Sequence, residues 1–259
     1  MLINMLKIEI DNNLSISYKQ QQISKNNFTI IFLHGLMSDK NGTKSLVVEE
    51  FCAQNSYNFV AFDNLGHGDS DGIFTNFSIQ SWKESTKKFI NKLNLQNFII
   101  IGSSMGGWLA LLLAMEQIKN LQGLILLAPA PDFTRKIWQD LSENEKNKIK
   151  NKEIIRIKQT EEWDGIPISH ILIEESENMC IMHKNKIHIP VPITIIHGMQ
   201  DQDVDYKISL DLTNKIENEY LALKLLKNSG HRLSSDSDLN IITNSIEELC
   251  SLLNNNKSS

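Results

Sequence analysis

Residues 98–108, FIIIGSSMGGW, constrain the fold more than any other segment of the chain. A short apolar run with the character of a buried strand ends in Gly102-Ser103-Ser104-Met105-Gly106, and a helical pattern begins at once. A strand that turns into a helix this sharply brings its own backbone so close that side chains beside the apex would collide. Glycines on either side of the central serine answer that demand. The serine between them is held strained, with its hydroxyl projecting above the sheet. Ser103 offers a competing hydroxyl, but the register of the flanking glycines selects Ser104 as the candidate nucleophile. GxSxG alone is a weak signal, expected by chance in roughly one chain in ten of this length; its place between a buried strand and a helix makes it informative.

The rest of the chain repeats the same alternation. Apolar runs at Phe28–Leu33, Phe59–Phe62, Phe98–Ile101, Leu124–Leu127, Ile193–Ile196 and Leu221–Leu226 read as strands buried on both faces of a parallel sheet. Helical patterns over Thr43–Gln54, Ile79–Leu93, Met105–Lys119, Tyr206–Glu217 and Asp238–Leu253 lie between and after them. At the amino terminus, Leu6–Ile10 and Leu14–Tyr18 flank Asp11-Asn12-Asn13 and predict an edge hairpin. The expected fold class is α/β, a mostly parallel doubly wound sheet, with residues 1–259 forming a single domain.

One stretch breaks the rhythm, approximately residues 132–189, and is expected to be a helical cap insertion. Its first helix puts Phe133, Ile137, Trp138 and Leu141 on one face. Those side chains either dock the helix or line an acyl pocket. Further on, SENEKNKIKNKE mixes both signs of charge and reads as a solvated helix face.

A serine hydroxyl is a poor nucleophile at neutral pH and needs a base. Among the seven histidines, His231 follows the last strand pattern in a loop with Ser229 and Gly230, just before the final helix. That is where such a sheet delivers a base to its carboxyl edge. His34 and His197 each end a buried run and are expected to satisfy neighbouring groups. The segment FDNLGHGDSDG, which carries His67, reads as a structural turn bordering the site. His170, His183 and His188 lie in the insertion, where no carboxylate spacing supports a metal site.

Three acids crowd the loop after VPITIIHG: Asp201, Asp203 and Asp205. Asp201 comes directly off the strand and is taken as the acid that fixes the imidazole tautomer. Asp203 is its rival, because alternation along an extended loop would point both the same way. The backbone N–H groups of Met105, next to the serine, and of Leu36, in IIFLHGLM, are the candidate donors to a tetrahedral oxyanion. This chemistry needs no cofactor and no metal.

Composition narrows the partners. With 26 Lys and Arg against 31 Asp and Glu, the net charge of −5 speaks against a nucleic-acid surface. Three cysteines without CxxC spacing suggest neither a disulfide framework nor a zinc ribbon, and fit a reducing compartment. No signal peptide is read, and no apolar run reaches the roughly 18–20 residues of a membrane span, so the expected location is cytoplasmic.

Together, NGTKSLVVEEFC (41–52), GSSMGGWL (102–109), HGMQD (197–201) and SGHR (229–232) resemble the α/β-hydrolase superfamily. The likeness is to the branch of the mitochondrial palmitoyl-protein thioesterase that is also a mycophenolic acid acyl-glucuronide esterase, with its bacterial relatives. It runs from about Phe28 to the final helix. The resemblance implies a triad of Ser104, Asp201 and His231, and hydrolysis of acyl esters or thioesters, on small molecules or acylated proteins. Two alternatives stand beside it: a non-catalytic ligand-binding module of the same fold, and a peptidase or amidase. Dehalogenases and epoxide hydrolases are disfavoured, because their elbow nucleophile is an aspartate.

Overall fold

The computed structural model describes residues 6–11, 13–23, 28–157 and 165–257. Strands β1 (Leu6–Asp11) and β2 (Leu14–Gln21) open the chain as an antiparallel hairpin, as expected; Asn12 of its turn lies outside the described residues. Then come β3 (Thr29–Leu33), α1 (Thr43–Gln54), β4 (Asn58–Phe62), α2 (Ile79–Leu93), β5 (Phe98–Ser103), α3 (Met105–Met115) and β6 (Leu121–Leu127). The region expected as a cap carries α4 (Phe133–Asp140), α5 (Glu143–Lys150), β7 (Ile155–Ile157), β8 (Ile166–Ile168), α6 (His170–Glu177) and β9 (Ile187–His188). The chain closes with β10 (Ile193–Gly198), α7 (Lys207–Lys215), β11 (Ile216–Glu217), β12 (Leu221–Leu226) and α8 (Asp236–Lys257).

Eight strands form the main sheet in the order β1-β2-β4-β3-β5-β6-β10-β12, with β2 running against the others. Strands β3, β5, β6 and β10 are parallel neighbours at its centre and are completely buried apart from Gln122 of β6. Because side chains alternate across a strand, each central strand feeds two cores. In β3, Ile31 and Leu33 join Trp82 and Phe89 of α2 and Trp108 and Leu109 of α3. Ile30 and Phe32 join Val48 and Cys52 of α1 and Ile246 and Leu249 of α8 on the other side. Cys52, Cys180 and Cys250 are buried free thiols.

Three expectations are corrected at their ends. Helix α3 stops at Met115, short of Lys119, because Gln117 and Asn120 take positive φ of 51° and 70° to turn the chain into β6. The pattern expected to be helical to Glu217 ends at Lys215, and Ile216 and Glu217 pair with Ile187 and His188 instead. Helix α8 begins at Asp236 and runs to Lys257, beyond both expected ends. The β7–β8 pair, Ile155–Ile157 against Ile166–Ile168, has too few residues to show a period of its own.

Helix α4 docks. Phe133 meets Trp108 edge-on at 5.6 Å, Trp108 Nε1 donates to the Met179 carbonyl at 3.2 Å, and Ile137 and Trp138 pack on the same core. Asp132 anchors the start of this region by accepting the N–H groups of Ile181 (2.7 Å) and Met182 (3.0 Å). Ser142 and Glu145 cap α5 reciprocally, and Lys146 and Lys150 lie over the Trp138 ring, each 5.9 Å from its centroid. Among the described residues no helix is long and apolar enough to cross a membrane.

Candidate active site

The carboxyl ends of β3, β5, β10 and β12 converge, and the loops that follow them carry the site. Ser104 sits between β5 and α3 at φ 54°, ψ −115°, a conformation that costs on the order of 1–3 kcal/mol for a residue with a side chain. The surroundings hold it there. Its N–H donates to the Leu127 carbonyl at 2.9 Å, and its own carbonyl accepts from Gly107 at 2.9 Å and Ala130 at 3.1 Å. Both elbow glycines are sterically required: a Cβ on Gly102 would fall on the Gly106 carbonyl, and one on Gly106 would fall on the carbonyls of Leu33 and His34.

From this apex a chain of hydrogen bonds leads inward. His231 Nε2 lies 3.0 Å from Ser104 Oγ, and His231 Nδ1 lies 2.7 Å from Asp201 Oδ2. The Asp201 side chain is fully buried and the His231 side chain is 21% exposed, so the imidazole joins a dry carboxylate to an accessible hydroxyl. Asp201 Oδ1 accepts the N–H groups of Asp203 (2.9 Å) and Val204 (2.8 Å). Burial alone pushes the Asp201 carboxyl up. The hydrogen bonds from His197, His231 and Val204, with the attraction of His231, outweigh it and hold Asp201 well below the usual carboxylate range.

Between the rival acids the geometry distinguishes. Asp203 is exposed and reaches Asp201 through its backbone N–H. Asp205, also exposed, accepts the Lys207 N–H at 3.0 Å ahead of α7. Carboxylate oxygens of Asp201 and Asp203 and a His231 nitrogen lie within 4.8 Å of one another, a spacing a metal ion would accept. The atoms of Asp201 and His231 are already engaged with each other and with Ser104, which favours proton transfer over ligation.

Met105 is the first residue of α3, where a helix leaves its leading N–H groups without an intrahelical carbonyl. Leu36, on the loop after β3, lines the cavity that holds Ser104. That loop is tightly held. His34 Nδ1 is 2.7 Å from the Gly35 carbonyl, and His34 Nε2 accepts the Asn64 N–H at 3.0 Å, the structural role expected of it. Lys40 and Asp63, both buried, form an ion pair at 2.6 Å, and Asp63 also accepts the Lys40 N–H at 2.7 Å. The FDNLGHGDSDG turn therefore clamps the Leu36 loop. His67 within it meets Phe74 and Trp82 edge-on and His34 at a tilt, and burial there pushes its imidazole down to about 3.

Sequence reasoning missed three participants. His197 donates through Nε2 to Asp201 Oδ2 (3.1 Å) and the Val204 carbonyl (3.0 Å), and the Ser209 hydroxyl faces its Nδ1 at 2.7 Å. It therefore braces the acid as well as the backbone, a contact made by the return of the loop and not announced by spacing along the chain. Lys44 and Arg232 were the others. They line, with Ser104 and His231, a cavity of about 360 Å³ to which none of the described residues between 132 and 189 contributes. Both stand inside the motifs NGTKSL and SGHR, where a lysine or arginine carries no signal of its own.

Residues 24–238 match the family model described as serine aminopeptidase, S33. The chain is 29% identical over 221 residues to the mitochondrial palmitoyl-protein thioesterase ABHD10 of Bos taurus, covering 85% of this chain and 72% of that one. A hydrolase of Agrobacterium vitis S4 superposes with a TM-score of 0.89 at 28% identity, over 96% of this chain and 100% of that one. The α/β-hydrolase domain-containing protein 10 of mouse gives 0.87 at 26%, over 96% and 99% of the two chains.

Proposed function

Starting from a chain that belongs to the serine aminopeptidase S33 family of hydrolases and has the α/β-hydrolase fold, we propose that it cleaves acyl esters or thioesters through a serine acyl-enzyme. The observation that carries this reading is the continuous hydrogen-bond chain from Ser104 Oγ through His231 to Asp201. In the first step His231 Nε2 takes the Ser104 proton as Oγ bonds to the acyl carbon. The carbonyl oxygen becomes an oxyanion facing the N–H groups of Leu36 and Met105, each worth about 2.7–4 kcal/mol in related chemistry. Asp201, ionised and buried, stabilises the imidazolium that results. Collapse expels the alcohol or thiol, which leaves with the proton from His231. In the second step His231 deprotonates water, which attacks the acyl-enzyme; the acid departs and Ser104 regains its proton.

The substrate is a small molecule or an acylated protein, and this chemistry calls on no cofactor. Residues 132–189 act as a cap on a single domain spanning 1–259. The cap helix α4 is spent on docking, so a preference for long acyl chains finds no support in Phe133, Ile137 or Trp138. Peptidase action is the weaker reading. An aminopeptidase has to seat a substrate ammonium, and a cavity bearing Lys44 and Arg232 is a poor place for one. Turnover of 4-nitrophenyl butyrate and butyryl thioesters, set against aminoacyl 4-nitroanilides, tests the proposal. Hydrolysis of the ester and thioester with Ser104→Ala inactive supports it; cleavage of the anilides alone would overturn it.

A further inference from the structure

Lys44, in the first turn of α1, and Arg232, next to His231, line the cavity that holds Ser104. The Lys44 ammonium donates to the Arg232 carbonyl, which brings it within one residue of His231. Asp39 lines the same cavity, but its Oδ1 accepts the Asn41 N–H at 2.7 Å and serves the turn before α1. Asp238 attracts Lys44 from behind the loop, while its two oxygens are taken by the Ser229 hydroxyl and the Ser235 N–H. Among the described residues neither Lys44 nor Arg232 forms an ion pair, although fourteen pairs of Lys or Arg with Asp or Glu occur among them. Two cations therefore face one cavity with a single, already engaged carboxylate.

We propose that Lys44 and Arg232 form an anion-recognition pair, selecting esters or thioesters that carry a carboxylate or phosphate close to the scissile acyl group. The inference rests on the hydrolase reading above. Burial, and then the neighbouring Arg232, press the Lys44 ammonium down to about 8, so the charge is held at a cost that a bound anion relieves. Lysine and arginine divide the work in a familiar way: the ammonium acts as a compact charge, and the guanidinium offers a planar fork to two oxygens. Neither group takes part in the acyl transfer itself.

Three matched pairs of substrates test it and locate the anion. The butyryl thioester of 2-mercaptoethyl phosphate against that of 2-mercaptoethanol places a phosphate on the leaving group. 4-Carboxyphenyl butyrate against its methyl ester places a carboxylate there, and 4-nitrophenyl hemisuccinate against 4-nitrophenyl butyrate places one on the acyl group. The anionic member should lead in kcat/KM in at least one pair, and Lys44→Met with Arg232→Gln should lower that ratio by about tenfold to a hundredfold, mainly through KM. The ratio should also fall as pH rises through about 8, where Lys44 loses its proton. Arg232, Asp39, Asp238 and His231 are the other charged or titratable groups around Lys44, and both members of a substrate pair meet them alike. In Ser104→Ala protein, calorimetry should read the same preference as a ratio of Kd values without turnover. Neutral substrates in all three pairs doing as well as anionic ones, or variants that lose both members equally, would overturn the inference; the latter would make Lys44 a tether for the His231 loop. Failure of the hydrolase reading is told apart, because it removes turnover and leaves the Kd ratio.

Discussion

Asp201 is the residue on which the site turns, for it accepts hydrogen bonds from His231, His197, Asp203 and Val204. An acid so fully engaged stays ionised while buried, as its depressed carboxyl implies. Asp201→Asn keeps the shape but presents the wrong partner to His231 Nδ1, and should lower kcat by about 10⁴ by analogy with serine-protease triads. Asp203→Asn should stay within a few fold of the parent, since the contribution of Asp203 to Asp201 is a backbone N–H. Rates on one activated ester, with circular dichroism confirming the fold, decide the matter. Near-normal Asp201→Asn beside a collapsed Asp203→Asn would move the acid role. At this scale Ser104 was legible because it follows a strand buried along its whole length, and His231 because it follows the last apolar run; that run, Leu221–Leu226, expected to be buried on both faces, is the edge strand β12 and stays partly exposed, since only β10 pairs with it. The bracing by His197 was not, because a loop bends its carboxylate back onto a histidine in a way no linear spacing reveals.

Helix α3 ties the elbow to the sheet at the level of elements. Gly106 lets its first turn press on the carbonyls of Leu33 and His34, so Ser104, the Leu36 loop and the end of β3 are positioned by one contact. Gly106→Ala forces backbone against backbone and should cost about 1–3 kcal/mol or more, with a matching loss of activity. Gly230→Ala is the contrast, because its Cβ would meet the Gln200 carbonyl at 3.7 Å, an ordinary contact. Its stability should change by no more than about 0.5 kcal/mol. Denaturant midpoints for the two variants check this, and equal midpoints would show that α3 is free to shift. The central strands were legible for the reason that makes them central: burial on both faces leaves continuous apolar runs. Two-residue pairs such as β9 with β11 have no such signature, and the docking of α4 depended on a Trp108 contact that lies outside its own sequence.

For the whole molecule, the site exists only when the sheet is complete. Ser104 and His231 are 127 positions apart, and Asp201 and His231 are 30 apart, so no local segment brings the three together. Parallel register places β5, β10 and β12 so that their carboxyl ends open on one edge. The two cores hold that register from both faces, while the Lys40–Asp63 pair and the His34 hydrogen bonds fix the loop that frames the cavity. The central claim is that this assembly activates Ser104 and no other hydroxyl. Treatment with a fluorophosphonate, followed by peptide mapping by mass spectrometry, measures that directly. The account predicts one phosphonylated residue, Ser104, with labelling abolished in Ser104→Ala; a label on Ser103, or none on protein that hydrolyses esters, would contradict it.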